Sequence, residues 1–160
     1  MKILFANGNP IFSSTRVRIL TDLGFRVDFR RDAAQVLEAF TGPKETWPDI
    51  LVMDNFLPQG DTEEVNEHST YGYIRTGMAI YAVLRRKYIA VPTLIYTTDR
   101  QGHEELKLLC LADSRLCAVY ECVDNSTKEI TTTVQKLAKI VEAEAKTAPA
   151  SPTKMDLSEC

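Results

Sequence analysis

The amino-acid sequence predicts one α/β domain, built on a doubly wound, five-stranded parallel sheet with helices on both faces. Five short apolar runs alternate along the chain with segments of helical periodicity. The run at residues 49–53, Asp-Ile-Leu-Val-Met, is almost wholly apolar, as in a strand that is buried on both faces. The predicted strands are residues 2–6, 26–29, 49–53, 93–97 and 118–123, and the predicted helices are residues 11–23, a short segment after Asp32, 74–88, about 104–111 and 128–145.

Turn-forming and capping residues mark the ends of these elements. The first strand runs into residues 7–10, Asn-Gly-Asn-Pro, a turn sequence. Gly24 suits the end of the first helix, because glycine tolerates the positive φ that often follows a helix. Asp32 is placed to cap a short second helix, which Gly42 and Pro43 bring to an end.

Composition and charge argue against several classes of protein. Lys plus Arg number 19 and Asp plus Glu number 22, so the net charge of −3 lacks the basic excess that nucleic-acid or membrane binding requires. No apolar run has transmembrane length. The four cysteines show no C-x-x-C spacing and are expected to be reduced thiols of a cytoplasmic protein. The domain is expected to span residues 1–145, followed by an Ala/Pro/Ser-rich tail at residues 146–160.

Polar side chains follow the predicted strands at the points where the strands end. In an open parallel sheet, ligands bind outside the carboxyl ends of the strands. These ends carry Asn7 and Gly8, then Asp54, then Thr97 and Thr98. A carboxylate that follows an apolar strand is costly unless it is solvated, paired or metal-bound. Asp54 is therefore the strongest functional candidate in the chain.

Four stretches of sequence resemble those of response-regulator receiver domains. Residues 49–58, Asp-Ile-Leu-Val-Met-Asp-Asn-Phe-Leu-Pro, are similar to the family's third strand, its phosphoacceptor aspartate and the proline four residues later. Residues 9–25 resemble the first helix and the turn into the second strand, and residues 91–97 resemble a fourth strand that ends on a switch threonine. Tyr120 falls at the switch aromatic of the fifth strand. The resemblance covers about residues 1–145 and implies the flavodoxin-like strand order 2-1-3-4-5.

The family resemblance implies a phosphorylation switch in signal transduction. A sensor histidine kinase or a phosphotransfer protein would place a phosphoryl group on Asp54, with Mg²⁺ beside it to neutralise charge. Thr97 and Tyr120 would form the switch pair that changes the surface offered to a downstream protein partner. Nucleic acid and membrane are not expected as partners.

The sequence departs from the family pattern in three places around this aspartate. Asn7 and Gly8 replace the acidic pair that holds the metal, although Mg²⁺ prefers carboxylate oxygens. Val123 stands in place of the strand-five lysine, and Thr98 stands where the family prefers a smaller residue. Asn7, Gly8 and Thr98 are thus the residues expected to line the cofactor site. Asp54 is the one metal ligand expected at this site, so any Mg²⁺ site is expected to be weak.

Residues 59–73 form a longer connection than receiver domains usually have after the proline. Three interpretations remain open for it: a source of replacement metal ligands, a lid that binds a partner, or a solvated loop. His68 within it is expected to be exposed rather than a ligand or base. The acidic residues of this connection are Asp61, Glu63, Glu64 and Glu67.

Functions of different classes fit these residues. The first is an atypical single-domain response regulator or pseudo-receiver, not an enzyme, that binds other proteins and is either switched by phosphorylation at Asp54 or constitutive. The alternative is a flavodoxin-like cofactor-binding protein or small hydrolase that uses the same cleft. Pro10 does not favour a flavin phosphate loop, because it lacks an N–H donor. A hydrolase is not favoured either, because no histidine lies at a strand end to serve as the base. A dimerisation module that shares its fifth helix is a further possibility, which leaves monomer and homodimer open.

Overall fold

The computed structural model describes residues 1–121 and 125–147. Within these ranges the strands are β1 (Lys2–Ala6), β2 (Arg26–Arg30), β3 (Ile50–Asp54), β4 (Thr93–Thr97) and β5 (Leu116–Tyr120). The helices are α1 (Pro10–Asp22), α2 (Ala33–Glu38), α3 (Thr76–Arg86), α4 (Arg100–Ala112) and α5 (Ser126–Thr147), with a 3₁₀ turn at Lys44–Thr46. The strands pair in parallel in the order β2-β1-β3-β4-β5. The predicted fold class and strand order are confirmed.

The last strand begins earlier than predicted. Pairing of β4 with β5 starts at Thr93 opposite Leu116 and ends at Thr97 opposite Tyr120. The predicted range of 118–123 was based on the run of apolar residues, whereas the start of the strand is set by its pairing with β4. Val123, the residue predicted to replace the family's lysine, lies outside the described residues, as does the predicted tail from residue 148 onward.

Polar side chains cap three of the helices. Asn9 accepts two backbone N–H groups in the first turn of α1, and Asp32 accepts one in α2 as predicted. Asp99 accepts one in α4, so this helix begins at Arg100 and not near residue 104. No helix within the described ranges combines the length and apolar character needed to cross a membrane.

The sheet is buried on both faces, so alternate residues of its central strands face two different cores. Leu51 and Met53 of β3 belong to the core beneath α2, α3 and α4. Val52 belongs to the core beneath α1 and α5, together with Leu137. Because side chains alternate along a strand, Asp54 at the end of β3 faces the same side as Val52. The fold therefore presents Asp54 on the α1 and α5 side of the sheet.

The connection at residues 59–73 packs against the domain. Val65 and Thr70 are buried. Tyr71 and Tyr73 both have positive φ, which is costly for residues other than glycine and persists where surrounding contacts hold it. The backbone of this connection is therefore held by specific contacts.

Charged side chains tie the connection to the neighbouring helices. Arg75, which follows it, donates a hydrogen bond to Glu105 of α4 over 2.9 Å, and its guanidinium lies 4.8 Å from the centre of the Tyr71 ring. Glu64 pairs with Lys87 at 2.6 Å. His68 is exposed, as predicted. Of the three open interpretations of this connection, the source of replacement metal ligands is not favoured, since the described part of the chain contains no group of three or more potentially metal-binding His, Cys, Asp or Glu side chains.

Asn55 joins the end of β3 to the start of α3. Its side chain is fully buried, and its Oδ1 accepts the backbone N–H of Met78 over 3.0 Å. Its backbone carbonyl accepts the N–H of Gly77 over 3.1 Å. Glycine allows this close approach, because a Cβ at position 77 would lie 3.0 Å from the Cα of Asn55 and 3.1 Å from the carbonyl oxygen of Asp54. These hydrogen bonds between Asn55 and the start of α3 thus hold the backbone next to Asp54 in place.

We expect Gly77→Ala to lower the free energy of unfolding by about 1 to 3 kcal/mol, because the added methyl meets backbone that cannot easily move. At an open helical position the same change would raise stability by about 1 kcal/mol. Urea unfolding measures the difference. Ala82→Gly, at an exposed position of α3, calibrates the helix-propensity contribution, and a Gly77→Ala variant more stable than the wild type would contradict the packing argument.

Candidate functional site

A cleft of about 660 Å³ opens at the carboxyl ends of β1, β3 and β4. The residues that line it are Asn7, Gly8, Asn9, Phe12, Arg16, Asp54, Phe56, Pro58, Thr98 and Glu121. Four of the six residues that the sequence predicts for the site belong to this set. The other two, Thr97 and Tyr120, do not line the cleft.

Asp54 is held at the floor of the cleft by two hydrogen bonds. Its Oδ1 accepts the backbone N–H of Phe56 over 2.9 Å, and its Oδ2 accepts the side-chain NH₂ of Asn7 over 3.3 Å. Burial raises the pKa of Asp54 from 3.8 to about 7, and the Glu121 carboxylate acts in the same direction. The Phe56 N–H and the Arg16 guanidinium oppose the rise without cancelling it. The carboxyl group is therefore partly protonated at neutral pH.

Asn7 places a neutral donor beside Asp54. The Oδ1 of Asn7 accepts the backbone N–H of Asn9 over 2.7 Å. A backbone N–H can only donate, so this contact fixes which end of the amide carries the oxygen. The NH₂ group consequently faces Asp54 and donates to the hydroxyl of Tyr96 over 2.7 Å. The oxygen of Asn7 is turned away from Asp54.

The residues of the cleft do not fit the Mg²⁺ ion that the family resemblance implies. Mg²⁺ requires near-octahedral oxygen ligands. Both oxygens of Asp54 accept N–H groups, the oxygen of Asn7 is engaged by Asn9, and Gly8 has no side chain. Glu121 is engaged by an arginine. One carboxylate without a second free oxygen ligand is a poor site for this ion.

Arg16 and Glu121 form an ion pair on the wall of the cleft. The guanidinium also donates to the hydroxyl groups of Ser126 and Thr127 over 3.1 and 3.2 Å. Its central carbon lies 5.1 Å from the centre of the Tyr96 ring. The pair therefore links α1, the end of β5 and the start of α5 around the cleft.

Arg16, Glu121 and Tyr96 were not predicted from the sequence as site residues. Glu121 directly follows Tyr120, and a charged residue at the end of an apolar strand was a signal that could have identified it. Arg16 lies among polar helix residues, and nothing in the sequence distinguishes it. Tyr96 is fully buried within β4, where an aromatic residue usually serves packing alone.

Thr97 and Tyr120 face α4 instead of the cleft. The hydroxyl of Thr97 accepts the backbone N–H of Asp99 over 3.0 Å, at the start of α4. The ring of Tyr120 stacks on His103 of α4, with centroids 5.4 Å apart and planes inclined by 26°. Both residues are thus coupled to α4, and their role as a switch pair stays a prediction.

The loop between β1 and α1 does not resemble a phosphate-binding loop. Asn9 already accepts the N–H groups of Ile11 and Phe12, and Pro10 has none to offer. Gly8 is needed for packing, since a Cβ there would lie 3.1 Å from the Cδ of Pro58. The geometry does not favour the flavodoxin-like alternative.

Comparison with known proteins found similar structures but no similar sequences. The sequence matches no protein-family model and none of the curated proteins with which it was compared. Its structure is similar to the receiver domain of the Francisella response regulator 1452, with a TM-score of 0.63 at 16% identity over 87% of this chain and 97% of that chain. It is also similar to the signal receiver domain of an HD domain-containing protein from Pseudomonas fluorescens, with a TM-score of 0.61 at 18% identity over 89% of this chain and 98% of that chain.

A third similar structure is the response regulator protein TrrA from Thermotoga maritima, described in complex with Mg²⁺ and BeF. Its TM-score is 0.59 at 17% identity, over 85% of this chain and 97% of that chain. Identities this low establish the fold and not the activity. The chain has the fold of the response-regulator receiver domains, as its sequence motifs predicted.

Proposed function

We propose that the chain is a pseudo-receiver, a signalling domain that acts by binding other proteins and whose state does not depend on Mg²⁺-assisted phosphorylation of Asp54. The observation that carries the proposal is the position of Asn7, whose NH₂ group meets Asp54 where a metal ligand would need an oxygen. The receiver fold supports a general role in signal transduction.

The chemistry of phosphoryl transfer argues against Asp54 as an efficient acceptor. The nucleophile and the phosphoryl donor are both anionic, so transfer depends on cations that neutralise the developing charge. The lining of the cleft supplies one cation, Arg16, and that cation is already paired with Glu121. Asp54 is also partly protonated at neutral pH, because its pKa is raised to about 7, and the protonated form is not nucleophilic.

The expected partners are proteins. A sensor histidine kinase or a phosphotransfer protein fits the fold as a docking partner without serving as phosphoryl donor, and a downstream protein would receive the signal. Ile130, Val134 and Leu137 of α5 are buried against the chain's own sheet, which does not favour a homodimer built on that apolar face. We propose a monomer that performs no catalysis.

The uncompensated charge of Asp54 should make stability depend on pH. The pKa of this group is 3.8 without burial and about 7 in the folded chain. Between these values the folded chain holds a proton that the unfolded chain has released, so its contribution to stability falls as pH rises through this window. We expect Asp54→Asn to raise the free energy of unfolding by on the order of 2 kcal/mol at about pH 8, and by much less at about pH 5.

Urea unfolding of both proteins at the two pH values measures this effect. The difference in free energy of unfolding between wild type and Asp54→Asn separates the contribution of Asp54 from those of the other titrating groups. Asp22→Asn, at an exposed position at the end of α1, is the matched control and should track the wild type. If the stability gap between wild type and Asp54→Asn were the same at both pH values, the raised pKa would be wrong.

Restoring a carboxylate tests the misfit to Mg²⁺. We expect Asn7→Asp to raise Mg²⁺ affinity by about tenfold or more, because it places a second anionic oxygen ligand beside Asp54. Isothermal titration calorimetry compares the variant with the wild type. A wild type that binds Mg²⁺ as tightly as Asn7→Asp would show that the amide does not impair the site.

A small phosphodonor tests the proposed function directly. The full chain, incubated with acetyl phosphate and Mg²⁺, should show no increase in intact mass over a range of donor and metal concentrations. A stable gain of one phosphoryl group that disappears in Asp54→Asn would overturn the pseudo-receiver proposal and support a working phosphorylation switch.

A further inference from the structure

We propose that the cleft above Asp54 binds the ammonium group of a lysine side chain presented by a protein partner. The proposal rests on the proposed function, since it names the chemistry by which the partner would be recognised. Three features of the cleft carry it: exposed aromatic walls, one uncompensated carboxylate and a floor of hydrogen-bond acceptors.

Two aromatic rings flank the cleft and are largely exposed. Phe12 of α1 is 79% exposed, Phe56 after β3 is 57% exposed, and both line the cleft. Ile11, beside Phe12, is 81% exposed. Large apolar side chains grouped on a surface are typical of an interaction site, and the faces of aromatic rings attract cations. These walls suit a ligand that carries a positive charge on an apolar stem.

Asp54 is the uncompensated charge of the cleft. Arg16 is paired with Glu121, and its other donors reach Ser126 and Thr127, so the charges of this pair balance locally. Across the described ranges, none of the ion pairs includes Asp54. A cation that enters the cleft would stabilise the ionised form of Asp54 and relieve the cost of a carboxylate held away from water.

The acceptors of the cleft suit an ammonium group better than a metal ion. An ammonium group has three N–H donors and imposes no octahedral geometry. The lining offers the hydroxyl of Thr98 and the carboxylate of Asp54, each of whose oxygens accepts one N–H group and can accept a further donor. Mg²⁺ usually keeps several of its waters, and the walls made by Phe12 and Phe56 would not bond to them. A lysine stem would instead pack its methylene groups against these rings.

The apolar rim favours a lysine of a protein over a free amine. Phe12 and Phe56 line the cleft, which has a volume of about 660 Å³, and both remain largely exposed to solvent. A small amine at Asp54 would leave most of this rim in water. A protein that surrounds its lysine with apolar side chains would cover the rim and exclude water from the ion pair, as the core of an interface does.

Binding of short peptides to the full chain tests the proposal. The probes are acetyl-Leu-Lys-Leu-amide, the same peptide with norleucine in place of lysine, and butylammonium, followed by amide chemical shifts in NMR titrations. We expect saturable binding of the lysine peptide with shifts around Asp54 and Phe12. The norleucine peptide should bind about tenfold more weakly or worse, because it lacks the charge. Butylammonium should also bind more weakly than the lysine peptide, because it covers less of the rim.

Two variants with matched controls localise the binding. Asp54→Asn should lower affinity for the lysine peptide by about tenfold or more and leave the norleucine peptide unaffected. Phe12→Ala should lower affinity by about threefold to tenfold. Asp22→Asn and Leu111→Ala, which change an exposed carboxylate and an exposed leucine outside the cleft, should bind like the wild type.

The possible outcomes separate the alternatives. Equal affinities for the lysine and norleucine peptides, undiminished binding by Asp54→Asn, or no binding of the lysine peptide at millimolar concentration would each overturn the proposal. If butylammonium bound as tightly as the lysine peptide, the ligand would be a free amine and not a lysine of a protein partner. Phosphoryl gain from acetyl phosphate would overturn the pseudo-receiver function by a separate measurement, so the two failures are distinguishable.

Discussion

The orientation of the Asn7 amide is the constraint on which the chemistry of the cleft depends. A single backbone N–H, that of Asn9, fixes the oxygen of the amide and turns its NH₂ group toward Asp54 and Tyr96. Asp54 therefore gains a hydrogen bond but no positive charge. The misfit to Mg²⁺ follows from this neutral donor, which stands where the ion would need an oxygen ligand. The raised pKa of Asp54 follows mainly from burial of the carboxyl group.

The fold could be predicted because its signals are local in the sequence. The apolar run of β3, the alternation of strands with helical segments and the polar residues at strand ends each depend on a few neighbouring residues, and the parallel sheet follows from them. The boundaries of β5 and α4 were less accurate. The start of β5 is set by pairing of Leu116 with Thr93, and the start of α4 by a cap from Asp99 that the sequence analysis did not recognise.

The site could be predicted only in part, for a related reason. A parallel sheet brings strand ends to one edge, and Asp54, Thr97 and Asn7 were expected to meet there. Asn7 and Asp54 line the cleft together with Thr98, whereas Thr97 faces α4. The pairing of Arg16 with Glu121 joins residues 105 positions apart, and it depends on how α1 and α5 pack beside the sheet. Periodicity along one helix does not reveal which distant carboxylate an arginine will meet. The poor fit of the cleft to Mg²⁺ depends in part on such contacts.

The arrangement of β4 determines how the cleft could influence the rest of the domain. A ligand shifts a conformational equilibrium only if it binds the two states unequally. Asp54 and Thr97 face opposite sides of the sheet, and the hydroxyl of Thr97 is engaged with Asp99 at the start of α4. Thr97 does not line the cleft, so a ligand held beside Asp54 does not contact that hydroxyl. Thr98 lines the cleft and immediately follows Thr97. A partner that forms a hydrogen bond with Thr98 therefore contacts the connection into α4 directly. A partner that contacts only Phe12 and Phe56 touches neither Thr97 nor Thr98 and has no direct contact with the connection into α4.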